Sequence, residues 1–258
     1  MLGAIAGDII GSIYEGAPIR RKDFPLFGPG ATFTDDTVCT VAIADCLMRG
    51  GDFAGALRAW VRRYPGRGYG GMFRRWALSD MPAYGSWGNG AAMRVSPIAW
   101  LAWDEEQALA LAAKSAAVSH DHPDAIAGAQ AVVLAMWLAR QKAGRETIRT
   151  SIKARFGYDL SEPVASIRRW YRFDVSCKGT VPPAIICALE ASDYEDAVRN
   201  AISLGGDSDT LACITGGIAE VIHGLPKPIA AEAMARLDAD LQAVVRRFYD
   251  RIGKTAEG

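Results

Sequence analysis

The chain has 258 residues, half of them hydrophobic and 22% charged, with 29 basic and 29 acidic side chains. That is ample apolar material for a packed core. A net charge of zero excludes the broad positive field with which proteins hold nucleic acid or anionic membranes, while leaving room for a local basic patch.

The opening MLGAIAGDIIGSIY is apolar but has no basic leader, carries Asp8 and lacks a cleavage pattern, so it reads as a buried helix rather than a secretory signal. Residues 14 to 33, rich in Pro and Gly, form an irregular stretch. In ATFTDDTVCT, Thr34 is an N-cap, and Asp35 and Asp36 occupy the first turn of a helix running to about Met48. Residues 64 to 90, with seven glycines among aromatics and arginines, read as a second irregular stretch.

Asp104-Glu105-Glu106 opens the next periodic segment, and His122 ahead of Pro123 opens another. Its apolar run AVVLAMWLA, 131 to 139, is about half the length of a membrane span. A third irregular stretch is expected over Gly157 to Pro183, then a helix from Tyr194 to Ser203 behind Ser192-Asp193. In SLGGDSDTLACI, Gly205-Gly206 allow a sharp turn before Asp207, and Asp209 and Thr210 start a helix through Ile222. The five cysteines, Cys39, Cys46, Cys177, Cys187 and Cys213, lack metal-site spacing and read as reduced core residues of a cytoplasmic protein.

Helical periodicity runs throughout and no strand alternation does, so the expectation is all-α: a compact bundle of ten or more helices forming a single domain over 1–258. Two segments share one grammar of a hydroxyl, two carboxylates and a helix start. If they meet, each pair of charges at about 4 Å costs about 4 kcal/mol at an effective dielectric near 20, more than helix dipoles worth about 2 kcal/mol at most can offset. Divalent cations can offset it. An all-oxygen set of Thr34, Asp35, Asp36, Asp207, Asp209 and Thr210 suits Mg²⁺, Mn²⁺ or Ca²⁺ and not a Cys/His zinc site.

The motifs GDIIGSIYE, FTDDT, GNGAAMR, VSHDHP and GGDSDT, in this order over residues 3 to 224, resemble those of the ADP-ribosylglycohydrolase family. The resemblance implies an all-α orthogonal fold around a binuclear centre of two Mg²⁺ ions, Mn²⁺ in some members. One ion would be held by Thr34, Asp35, Asp36 and Asp209, the other by Asp207, Asp209 and Thr210, with Asp209 bridging. It implies a hydrolase that cleaves the glycosidic bond at C1″ of an ADP-ribosyl group on a protein, nucleic acid or small molecule and releases ADP-ribose, with Glu15 and Asp36 in catalytic roles. Gly85, Ser86, Trp87, Asn89 and His120 fall on the substrate side, the turn from Gly85 to Gly90 as a diphosphate cradle. Asp8 is placed there too, positioning the site rather than ligating an ion. Two other readings stay open: a phosphohydrolase prompted by His120-Asp121, which lacks the upstream histidine that class needs, and a non-catalytic ADP-ribose binder or crystallin-like relative. No self-complementary surface is readable, so a monomer is expected.

Overall fold

The computed structural model describes residues 1–256, and among these every regular element is helical. After α1 (Leu2–Gly11) come α2 (Asp35–Arg49), α3 (Phe53–Arg63), α4 (Gly71–Ala77), the single turn α5 (Gly90–Met93) and α6 (Ser96–Leu101). The middle is α7 (Glu105–Ala117), α8 (Pro123–Arg140), α9 (Arg145–Phe156) and α10 (Val164–Trp170). The rest is α11 (Cys177–Glu190), α12 (Tyr194–Ile202), α13 (Ser208–His223), α14 (Lys227–Ala235) and α15 (Ala239–Arg251). No described helix is long and apolar enough to cross a membrane.

Several helices begin at the caps legible in the sequence. Thr34 Oγ1 accepts the Asp36 N–H at 3.3 Å, Asp104 accepts from Gln107 at 2.7 Å, His122 Nδ1 from Asp124 at 3.1 Å, and Asp193 from Asp196 at 2.8 Å. Each satisfies an amide that the helix itself leaves unpaired. Asp207 also holds a cap position, before α13, but makes no capping bond, which leaves its carboxylate for other work.

Two of the expected irregular stretches contain helices. Residues 64 to 90 hold α4, because Phe73 and Trp76 lie three apart and both bury in the core. The stretch from Gly157 to Pro183 holds α10 and the first half of α11, with Pro182 and Pro183 inside the helix. Proline removes an amide from the helical ladder. Pro183 leaves the Gly179 carbonyl without its helical donor, and the Tyr171 hydroxyl donates to that oxygen at 3.2 Å instead.

The centre is the crossing of α1 and α13. All ten residues of α1 are buried, as befits a helix apolar on every side. Gly3, Gly7 and Gly11 recur every four residues and let the two backbones touch. A Cβ at Gly7 would lie 2.0 Å from the Ala212 carbonyl oxygen, and one at Gly216 2.3 Å from that of Gly3. Only glycine permits this approach, and it carries Asp8, on the next position of α1, up to the N-terminus of α2.

Candidate active site

Asp8 is fully buried and fully occupied. Its Oδ2 accepts from the Thr34 and Thr37 amides at 3.0 and 3.1 Å and from the Thr37 hydroxyl; its Oδ1 accepts from Thr34 Oγ1 at 2.6 Å. It therefore pins the first turn of α2 against α1. Burial raises its pKa, and the threonine hydrogen bonds pull it back. Asp8 is absent from the cavity lining described below, so it underlies the site without reaching substrate space.

The first turns of α2 and α13, 174 residues apart in sequence, meet where Thr210 Oγ1 donates to Asp36 Oδ2 at 3.3 Å. Among the described residues the other oxygen of Asp36 is buried with no hydrogen-bond partner. Carboxylate oxygens of Asp8, Asp36 and Asp209 lie within 4.8 Å of one another, and so do those of Glu15, Asp207 and Asp209. Asp209 belongs to both groups. Asp35 lines the same cavity but falls in neither group. Its amide donates to the Arg67 carbonyl at 2.8 Å, which draws the loop before α4 over the site.

The electrostatics are those of crowded acids. Burial, then Asp209, pushes Asp36 well above the usual carboxylate range; burial, then Asp207, does the same to Asp209. Asp35 is pushed up to about 8 by burial, then Asp8, and Glu15 is raised by burial, then Asp207. The charged groups acting most strongly on Asp36 and Asp209 are all carboxylates. A buried acid cluster with no basic partner among the described residues, with an orphaned oxygen at Asp36 and threonine hydroxyls at its edge, fits hard divalent cations.

A cavity of about 520 Å³ opens beside the cluster, lined by Glu15, Thr34, Asp35, Asp36, Asp207, Asp209 and Thr210 on one side. Gly85, Ser86, Trp87, Asn89 and His120 line the other, so every expected site residue except Asp8 shares this space. Part of the glycine turn expected as an anion cradle is engaged internally. The Gly85 amide, at φ +69°, donates to Asp121 Oδ1 at 2.6 Å, Gly88 to Ser86 Oγ at 3.2 Å and Asn89 to the Val175 carbonyl at 2.7 Å. These three donors are already engaged, and the helix that follows is a single turn. Asn89 turns its side chain to the cluster, donating from Nδ2 to Asp207 Oδ2 at 2.7 Å and to Thr180 Oγ1 at 3.2 Å. Trp87, half exposed, stands at the mouth.

His120 is buried beside the rings of Phe73 and Tyr84, centroids 5.8 and 5.7 Å away. Burial, then the Arg94 charge, holds its pKa well below the ordinary imidazole value. The sequence reading missed Phe73, Arg94 and Phe173 as parts of the lining. Only Arg94 left a signal, a lone charge in the apolar run AAMRVSPIAW. All five cysteines are buried and free, as expected.

The family model for ADP-ribosylglycohydrolase matches residues 1–257. The chain is 25% identical to the zebrafish (Danio rerio) ADP-ribosylhydrolase ARH3, over 97% of this chain and 89% of that protein. It is 25% identical to human ARH3, over 87% of this chain and 84% of the relative. With the ADP-ribosylarginine hydrolase Tri1 of Pseudomonas putida it shares 23%, over all of this chain and 78% of the relative. A solved structure titled ADP-ribosylglycohydrolase-related protein complex superposes with a TM-score of 0.69 at 22% identity, covering 94% of each chain, and supports the all-α fold. With its family match along nearly the whole length and its paired acidic helix starts, the chain belongs to the ADP-ribosylglycohydrolase family.

Proposed function

We propose that the protein hydrolyses the glycosidic bond at C1″ of an ADP-ribosyl group attached to a protein, nucleic acid or small molecule, releasing ADP-ribose with two Mg²⁺ ions, or Mn²⁺, bound. The observation that carries this is the meeting of two acidic helix starts around an unpartnered Asp36 oxygen, at the edge of a cavity of about 520 Å³. Curated relatives that act on ADP-ribosyl groups support the substrate class.

Thr34, Asp35, Asp36 and Asp209 would hold one ion, and Asp207, Asp209 and Thr210 the other. When bound, the ions supply positive charge that lets the crowded carboxylates ionise, and Lewis acidity toward oxygen. The remaining work belongs to the chain. Cleavage builds oxocarbenium-like charge at C1″, which carboxylates beside the ribose stabilise. Glu15 lies on the Pro/Gly stretch, more exposed than the aspartates and beside Asp207 and Asp209, where a carboxyl can hold a proton for the leaving oxygen and take one from water. Asp36, anchored by Thr210, orients the cluster toward the ribose. Trp87 and Tyr84 offer apolar faces to the nucleoside end.

Incubation with a panel of defined ADP-ribosylated substrates and Mg²⁺ is the test. ADP-ribose release that disappears in Asp36→Ala and Asp209→Ala supports the reading. Retained ADP-ribose binding with no release from any substrate would make the protein a binder instead.

A further inference from the structure

Among the described residues Arg94 is the one buried charge at the cavity to which the proposed chemistry gives no role. It sits in the wall with its side chain fully buried, 5.8 Å from the Phe73 ring centroid, and its Nε and Nη1 have no hydrogen-bond partner among the described residues. Its Nη2 donates to the Ser115 carbonyl at 2.6 Å and to Ser119 Oγ at 3.1 Å. Ser119 Oγ in turn lies 2.8 Å from His120 Nδ1.

A guanidinium has only donors, whereas a hydroxyl has one proton and two acceptor sites. Ser119 Oγ therefore accepts from Arg94, and among the described residues its own proton has one acceptor, His120 Nδ1. The opposite arrangement, with Nδ1 carrying a proton toward Ser119, would leave a fully buried hydroxyl hydrogen without an acceptor, at a cost of about 1 to 3 kcal/mol. It would also direct an N–H dipole at an uncompensated guanidinium. With Nδ1 as acceptor, the ring proton resides on Nε2. That nitrogen faces the turn after Ser86: a Cβ on Gly90 would crowd it at 3.1 Å, and one on Gly88 would lie in ordinary contact at 3.5 Å. Nε2 makes no hydrogen bond within the described residues, and it faces Gly88 and Gly90, which line the cavity together with His120.

We infer that Arg94 and Ser119 are positioning residues that lock His120 as a neutral Nε2–H tautomer, so that it presents a hydrogen-bond donor to an acceptor oxygen of the ligand in the cavity. Burial first, and then the Arg94 charge, lower the basicity of the ring and keep it from acting as an imidazolium or a general base at neutral pH. The assignment of the ligand oxygen to ADP-ribose rests on the proposed function; the tautomer does not.

The chain has three histidines, so ¹⁵N-histidine labelling with long-range proton–nitrogen correlation reads each ring, and the His120→Gln spectrum assigns His120. The expected result at pH 7.5 is a protonated Nε2 and an unprotonated Nδ1, with Ser119→Ala shifting the ring toward a tautomer mixture. This small variant keeps the test intact if Arg94→Met fails to fold. A wild-type ring protonated on Nδ1 or on both nitrogens, or an unchanged spectrum in Ser119→Ala, overturns the inference. Calorimetry with ADP-ribose supplies the second readout. Ser119→Ala should bind about 3- to 10-fold more weakly, the range of one neutral hydrogen bond. His120→Gln, whose amide nitrogen reaches the Nε2 position, should bind better than His120→Asn, and the reverse order also overturns the inference. The expected tautomer together with no ADP-ribose binding by the wild type would refute the functional reading and leave the tautomer lock standing.

Discussion

Asn89 donates from Nδ2 to Asp207 Oδ2 at 2.7 Å while the same nitrogen reaches Thr180 Oγ1, so a residue of the glycine turn fixes an oxygen of the acidic cluster. Partners of this kind orient metal ligands, and their loss typically costs 10- to 100-fold in metal affinity. Asn89→Ala should weaken Mn²⁺ binding by roughly 10-fold or more in a calorimetric titration. Unchanged affinity would mean that Asn89 does not act through Asp207.

Removing divalent ions should make stability fall with rising pH. Asp8, Asp35, Asp36 and Asp209 have folded pKa values above their free values, that of Asp35 about 8, so the folded chain binds protons that the unfolded chain has released. Their contribution is fully present below the unfolded carboxylate range and is lost as pH rises through the folded values, a window from about pH 4 to about pH 8 for Asp35. The urea midpoint of chelator-treated protein is expected to be lower at pH 8.5 than at pH 6, and saturating Mg²⁺ is expected to abolish that difference. A midpoint that ignores both chelator and pH would count against the metal reading.

Asp36→Asn removes one of the repelling charges and one expected ligand together. Saturation at about 100 times Kd stabilises a native state by about 2.7 kcal/mol. Thermal melts should show that gain with Mg²⁺ in the wild type and little of it in Asp36→Asn, with the metal-free variant at pH 8 no less stable than the metal-free wild type. A variant that melts far lower without metal would show that Asp36 serves the fold rather than the ion.

Gly7→Ala tests the α1–α13 contact that delivers Asp8. The added Cβ would lie 2.0 Å from a backbone oxygen, which cannot rotate aside as a flexible side chain would. A loss of roughly 3 kcal/mol is expected by chemical denaturation, the upper part of the range for overpacking, with reduced metal affinity as α1 shifts. Wild-type stability would indicate that the two helices do not cross this closely.

Glu220 of α13 accepts from the Met1 amine at 2.5 Å, from the Gly3 amide at 2.9 Å and from the Tyr249 hydroxyl. Glu220→Ala leaves three buried donors unpaired and should cost about 3 kcal/mol or more, read from the urea midpoint. A cost under about 1 kcal/mol would place these donors in water rather than in the core.

Much of the architecture was written locally. Thr34, Asp104, His122 and Asp193 mark helix starts because capping chemistry needs only a side-chain acceptor within three residues of an unpaired amide, and that is a property of neighbours in sequence. The acidic pairs were legible for a similar reason, since charge crowded at two helix starts demands compensation wherever they lie. By contrast, α4, α10 and the proline-bearing α11 were hidden, because burial of Phe73 and Ile167 and the Tyr171 hydroxyl bond to Gly179 outweigh poor local propensity, and these are long-range facts.

The sequence by itself therefore determined the helical class, the family motifs and the two carboxylate-bearing turns. Only the tertiary structure decided what each group is free to do. It occupied Asp8 with threonines, left one oxygen of Asp36 bare, spent the Gly85, Gly88 and Asn89 amides on internal acceptors, and set Arg94 and Ser119 behind His120. The physical reason is that a donor or acceptor becomes available only through what its distant neighbours fail to satisfy, and no local pattern of residues records that.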